Sequence, residues 1–364
     1  ASIISGQAYA QQNIDPNVQT GPNGNCTGAT TIGDRAVAVG DCALAGGEES
    51  VAVGSGAVAP GVKSVAEGAG AFALGDFSVA QGANAQATNT GAVAVGDHSN
   101  ATAEQATAVG SNASARGQGS SAIGAHASAG GRSSVALGEQ SVASGDQSVA
   151  LGESTYSQGL RAVTVGPRSE ALGDDSLAVG GGASAQAAGA IAIGGSTRSQ
   201  GVNSLAVGTQ TQAGGAAATA VGARAVGGGQ NSAAFGVDAK GIGDQTVAVG
   251  NAADSRQQGG IAIGNNARNE ATSLVDGGAV AIGDGALVRH TAGIALGKGA
   301  VSNGGDCVAI GQNSNCNQAG TVSVGSAFQQ RRIVGVGAGI NGTDAVNMSL
   351  IQSLSGAFGG GAGF

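Results

Sequence analysis

One phrase, Ala36-Val37-Ala38-Val39-Gly40, is restated along most of the chain, and its closing glycine keeps a fixed step. The glycine returns every 14 residues from Gly40 to Gly264, through Gly54, Gly68, Gly82, Gly96 and on to Gly250. One step of 19 residues leads to Gly283, and the 14-residue step resumes at Gly297, Gly311 and Gly325. So short a unit, in about twenty-one copies, implies a solenoid: one unit cannot bury a face alone and must stack on its neighbours.

Before each glycine stands apolar–Ala–apolar, as in Val93-Ala94-Val95-Gly96 or Ile261-Ala262-Ile263-Gly264. A period of two is a strand signal and puts the branched residues on one face, expected to point inward. A weaker echo follows seven residues later, as in Ala113-Ser114-Ala115 and Ala127-Ser128-Ala129. Each unit therefore holds two short strands and two turns, with glycine expected to supply the turns. A helix is excluded, because 71 of the 364 residues are Gly and the apolar period is two.

Composition agrees with a thin coil. With no Trp, 2% aromatic residues and 10% charged ones, the chain lacks the large side chains that fill a compact domain. A net charge of −8 and a pI near 4.8 argue against a nucleic-acid partner, which needs clustered Lys and Arg. No apolar run is long enough for a membrane-spanning helix, and the aromatic girdles of an outer-membrane barrel are missing. Ala8-Tyr9-Ala10 resembles the end of a secretory signal; a plain terminal segment is the other reading.

The chain divides into an irregular lead-in over 1–25, the repeat over 26–330, a different segment over 331–350, and a Gly-rich tail over 351–364 that opens a stalk or connector. Two irregularities interrupt the repeat. At Glu67 and Gln81 the slot before the glycine is polar, while Phe72 and Leu74 lie half a unit away; this predicts a seven-residue slip that reverses by Gly96. The five extra residues before Gly283 predict an outward loop at 270–277. The stretch from Asp344 to Leu354 is helix-compatible, with Thr343 or Asp344 as N-cap.

Together these features resemble the head and neck of the YadA-like trimeric autotransporter adhesins of Gram-negative outer membranes. Their heads carry repeats of the type Asn-Ser-Val-Ala-Ile-Gly, nearest here in Asn203-Ser204-Leu205-Ala206-Val207-Gly208. Ser148-Val149-Ala150-Leu151-Gly152 and Ser50-Val51-Ala52-Val53-Gly54 are similar. The segment holding Arg332 and Ile333, then Asp344, Ala345, Val346 and Asn347, resembles the family's neck. It departs from it at Arg332, Gly335 and Ser349. The resemblance spans roughly 26–354. It implies an all-β, left-handed parallel β-roll associated as a homotrimer, with the neck leading into helix. It also implies a stalk and membrane anchor that this sequence does not include.

An independent argument favours association. Ordering 14 residues costs roughly 14–28 kcal/mol, whereas two buried aliphatic side chains return about 3–6 kcal/mol. Ladders and stacking must supply the remainder, and alanine-lined faces let chains approach closely.

Cys26 and Cys42 are 16 apart, one coil plus two residues, and Cys307 and Cys316 are nine apart. Both pairs lie near ends of the roll, and they read as two intrachain disulfides of an oxidising compartment. Four free small apolar residues are the alternative; zinc lacks any CxxC or adjacent His. His98 and His126 share a repeat slot two coils apart, about 10 Å, which is too far for one metal. His290 lies alone, and all three read as turn residues. Glu48-Glu49 and Asp174-Asp175 read as solubilising turn charge. The Gly-x-Gly strings follow from glycine abundance and make no phosphate cradle. No catalytic residue, metal or cofactor is indicated.

The resemblance implies a non-enzymatic cell-surface adhesin head binding host extracellular-matrix proteins of the collagen or fibronectin class, or neighbouring cells. Regular turns and flat faces suit many weak contacts. Candidate contacts are Asn203, Ser204, Leu205, Ala206, Ser148, Val149, Ser50 and Val51. A passive spacer, or an ice-binding or phage-fibre solenoid, remains the alternative.

Overall fold

The computed structural model describes residues 19–20, 26–270 and 278–358, with only the backbone described at 19, 20, 26, 27 and 356–358. The two strands of each unit sort into two parallel ladders. One begins at Val37–Val39 and ends at Val322–Ser323, mostly in three-residue strands; the other runs from Thr30–Thr31 to Asn315–Cys316 in two-residue strands. We call these the long-strand and short-strand sheets. In each, a strand pairs in parallel with those one coil before and after, for instance Val93↔Val79 and Val93↔Thr107. The molecule is a parallel β-solenoid with twenty-one strands in each sheet. At about 4.8 Å per coil it is a rod on the order of 100 Å long.

The alternation appears as expected, but its sense is reversed. In Val51–Val53 the central Ala52 is fully buried, Val51 is half-buried and Val53 is exposed. The core along the rod is alanine: Ala52, Ala66, Ala80, Ala94 and Ala108 in one column, and Ala57, Ala59, Ala71 and Ala73 opposite. The branched aliphatics therefore face away from the interior. The gap between the two sheets is filled mostly by methyl and hydroxymethyl groups, with Val288, Asn269, Gln257, a few threonines and the Cys307–Cys316 pair as the larger exceptions. Several serines in this interior bond the turn carbonyl three residues back, as Ser50 Oγ does to Gly47 O at 2.7 Å and Ser64 Oγ to Gly61 O at 2.7 Å, whereas Ser99, Ser120, Ser134, Ser148 and Ser232 have no such partner.

Once the interior is known, the expected slip disappears. Val65–Glu67 and Val79–Gln81 continue the ladder in register, with Ala66 stacked on Ala80 and Glu67 on Gln81. Glu67 and Gln81 occupy an outward slot, where a polar group meets water, and Gln81 Nε2 donates to Glu67 Oε2 at 3.0 Å. Across the long step both ladders resume at once: Ile261 pairs with Val280 and Arg268 with Leu287. The extra residues thus lie between Asn269 and Val280. The loop expected at 270–277 falls, from 271 on, outside the described residues. Asn269 beside it is fully buried; its Nδ2 donates to Ser255 Oγ at 3.1 Å and its Oδ1 accepts from Gln257 N at 3.2 Å.

The glycine column is a packing requirement. Gly68 has φ +138°, and a Cβ there would lie 2.3 Å from Gly82 O in the next coil. Gly152 and Gly166 stack in the same way. The remaining turn positions correct the sequence reading, since left-handed backbone near φ 55° is carried by Arg35, His98, Asn112, Arg161 and Asn203, among others. Glycine supplies the positions of close approach, and polar side chains supply much of the rest of the turns.

At the C-terminal end a single helix, α1 (Met348–Phe358), follows an irregular segment. Its N-cap is Asn347, not Thr343 or Asp344: Asn347 Oδ1 accepts from Leu350 N at 2.9 Å, which satisfies an end group of the helix. Asn347 Nδ2 also donates to Val336 O at 3.0 Å, tying the helix start to the preceding segment. Among the described residues, no helix is long and apolar enough to cross a membrane.

Candidate interaction faces

Because both interiors are small-residue columns, whatever the rod recognises must be carried on its outer surfaces. The outer face of the long-strand sheet has two aliphatic columns. Ile191 and Ile193, Leu205 and Val207, and Ile261 and Ile263 follow one another along it. The second column is the more open: Ile123, Leu137, Ile193, Leu296 and Ile310 are all exposed. The short-strand sheet carries polar side chains outside, including Gln86, Asn100, Ser114 and Ser128. An apolar patch interrupts it near one end, where Phe72, Leu74 and Phe77 are exposed and Lys63 Nζ stands 6.0 Å from the Phe77 ring centre.

The turns hold ion pairs between successive coils. Arg161 grips Asp175 through two bonds of 2.6 Å, and Arg224 grips Asp238 at 2.7 and 2.6 Å. The hydrogen bond from each guanidinium, more than its charge alone, holds Asp175 and Asp238 below the usual carboxylate range. Glu49 pairs with Arg35, and with Lys63 at 3.6 Å. Asp174 accepts from Leu160 N at 2.9 Å. His98 Nδ1 lies 3.0 Å from Asp97 Oδ1, and its Nε2 lies 3.4 Å from Asn84 Nδ2. Among the described residues, no group of three or more His, Cys, Asp or Glu side chains could hold a metal ion.

The candidate contact residues separate by face. Ser50, Ser148, Ser204 and Ala206 are buried in the interior, out of reach of any partner. Val51, Val149 and Leu205 belong to the aliphatic columns and are half-buried. Asn203 is exposed in a left-handed turn.

Cys307 and Cys316 form a disulfide across the interior, with Cα atoms 6.0 Å apart. Cys42 is also disulfide-bonded, while the Cys26 side chain lies outside the described residues.

In the segment after the last coil, Ile333 and Val346 are exposed, and Ala345 and Asn347 precede α1. The Asp344 carboxylate accepts from the N–H groups of Asn341 and Ile340, each at 2.9 Å, and these bonds lower its pKa. Arg331 ties this segment to the rod. Its guanidinium donates to Val324 O at 2.7 Å and to Gln312 O, closing the last coil. The signal available in the sequence was its position directly after the last repeat.

Comparison with known proteins agrees with this architecture. The family model described as the YadA head domain repeat (2 copies) matches residues 45–71, 73–99, 101–127, 129–153, 171–197, 199–225, 228–253 and 242–267, more than half of the chain. A solved structure, the collagen-binding domain of the Yersinia adhesin YadA, is similar at 19% identity over 78% of this chain and 88% of that one, with a TM-score of 0.20. No curated protein matches the chain. With the family model recurring along the solenoid, the chain belongs to the YadA head family, the heads of the YadA-like trimeric autotransporter adhesins.

Proposed function

We propose that this chain is a cell-surface adhesin head. Three copies join through their aliphatic faces, and their polar sheets, displayed outward, contact host extracellular-matrix proteins or neighbouring cells. The observation that carries the reading is the contrast between the two outer faces. A largely aliphatic face along a rod of about twenty coils, interrupted at Glu67, Gln81, Thr107, Ser121 and Thr219, exceeds the apolar patches a soluble monomer usually leaves in water. The segment after the last coil adds further exposed apolar residues, Ile333, Val334, Ile340 and Met348. A second and third copy of the same face would cover both, and equal copies around one axis form a closed assembly.

The polar sheet then recurs along a rigid rod and around its axis, so individually weak contacts add through effective concentration. Asn203 and the turn residues like it are the proposed contacts. Val51, Val149 and Leu205 instead serve the contact between copies. In this reading the head is displayed at the outer-membrane surface.

Two measurements test it. Light scattering on the purified protein at micromolar concentration should give three times the chain mass; a stable monomer refutes the association. Solid-phase binding to collagen, fibronectin and laminin should show at least one saturable interaction, and its absence across that panel, together with no cell aggregation, removes the adhesin reading.

A further inference from the structure

The charged residues of the short-strand face make two grooves that differ in one respect. The first, about 400 Å3, is lined by three bases (Lys240, Arg256 and Arg268) and three acids (Asp238, Asp254 and Glu270). Two of its bases are paired within it, Arg256 Nη2 with Asp254 at 2.7 Å and Arg268 with Glu270 at 3.4 Å, while Asp238 is taken by Arg224. The second, about 460 Å3, spans three coils and is lined by Ser196, Arg198, Gln210, Gln212, Arg224 and Val226. None of its lining residues is acidic, and of its two guanidinium groups Arg198 is open while Arg224 is paired with Asp238 of the next coil, in a chain whose net charge is −8.

The second groove has a definite plan. Arg198 pairs with Gln212, and Gln212 with Val226, up one column. Ser196, Gln210 and Arg224 form the turn column beside it. The two arginines thus stand at opposite corners, two coils apart, about 10 Å along the rod, with the Gln210 and Gln212 amides between them. Arg224 uses Nε and Nη2 on Asp238, which leaves Nη1 for the groove. Arg198 is in no ion pair among the described residues. Guanidinium groups present several donors in a planar fork suited to oxyanions, and carboxamides donate to hydroxyls.

We infer that this groove is a subsite for a sulfated polysaccharide, with Arg198 and Arg224 each taking an oxyanion and the two glutamines taking sugar hydroxyls between them. The inference rests on the adhesin reading and gives it a second ligand class. Sulfate is favoured over carboxylate because a sulfate ester has three terminal oxygens, so that two can engage a fork and the third a neighbouring amide, where a carboxylate has only two to share.

The test is surface plasmon resonance of the purified protein over immobilised heparin, with hyaluronan, which carries carboxylates only, as the second arm. Arg198→Gln should weaken heparin binding about tenfold, the loss of one charge-assisted contact. Arg116→Gln, which removes an exposed arginine elsewhere, should leave it unchanged, and both variants should retain the wild-type Tm. Binding should also weaken with added salt, since the groove is open to water. Three results would each overturn the subsite: no heparin binding by the wild type, equal loss in the two variants, or equal affinity for hyaluronan and heparin. Failure of the adhesin reading would appear separately, as wild-type protein that binds no matrix protein and aggregates no cells.

Discussion

The two sheets share an interior and have opposite exteriors. Inside, both present alanine, with Ala94 and Ala108 in one and Ala87 and Ala101 in the other all fully buried. Outside, the long-strand sheet presents mostly Ile, Leu and Val, and the short-strand sheet presents mostly polar residues, with Leu44, Val58, Phe72, Val142, Tyr156, Val226, Leu287 and Val301 interspersed. The shared interior fixes how the chain coils, and the difference outside governs what the coil adheres to. A methyl-lined interior contributes little hydrophobic stabilisation per residue. The larger apolar groups can contribute fully only when another copy covers them.

The largest effect should come from a charge on the aliphatic face. In the proposed trimer Ile191→Asp buries an unpaired carboxylate, a cost on the order of 3–5 kcal/mol for each copy, and light scattering should show the assembly falling apart. Ser128→Asp, on the polar exterior, should change stability by about 0.5 kcal/mol or less and leave the mass unchanged. Equal behaviour of the two variants would break the comparison.

A somewhat smaller effect is expected inside. Ala192 is fully buried, and Ala192→Leu adds three carbons where the two sheets leave no room, costing about 3 kcal/mol. The lowered Tm should appear whether or not the protein associates, because the interior belongs to one chain. Loss confined to the associated form would mean that Ala192 faces a neighbour instead.

The comparison also explains which parts of the molecule were legible in the sequence. The 14-residue step and the alternation gave coils, strands and ladder register, because stacking forces each repeat to place like residues together. Alternation has no sign, however. It groups Val93 with Val95 and opposes Ala94, without saying which side is inside. Hydrophobicity suggested the valines; the narrow gap between sheets selects the alanine. A comparison of the repeats with one another held the answer. The central residue is nearly always Ala, while its flanks vary among Val, Ile, Leu, Thr, Phe, Glu and Gln, as expected when only the centre is packed. The same error turned Glu67 and Gln81 into a slip. It also put Ser50, Ser148 and Ser204 among the contacts, although such consensus residues recur because the coil needs them. Asn347 and Arg331 were harder to read, since their roles depend on Val336, Val324 and Gln312, which only the folded chain brings to them.

The smallest effect should lie in the ion pairs of the turns, and its pH dependence has a definite sign. Asp175 is held below its ordinary pKa by the hydrogen bond from Arg161, so the folded protein binds its proton less readily than the unfolded chain does. Whatever the pair contributes is present at neutral pH and is lost as pH falls below about 4, the ordinary range for aspartate, toward the lowered folded value. Raising the pH above neutrality changes nothing for this group. Asp175→Asn should therefore lower Tm slightly at pH 7, and the gap from wild type should narrow as pH falls below about 4 and the wild-type carboxylate takes up its proton. Since both partners are exposed to water and salt, the gap should be small even at its widest. A gap that grows as pH falls would contradict the lowered pKa. One larger than that of Ile191→Asp would reverse the ranking of polar and aliphatic exteriors from which the trimer was inferred.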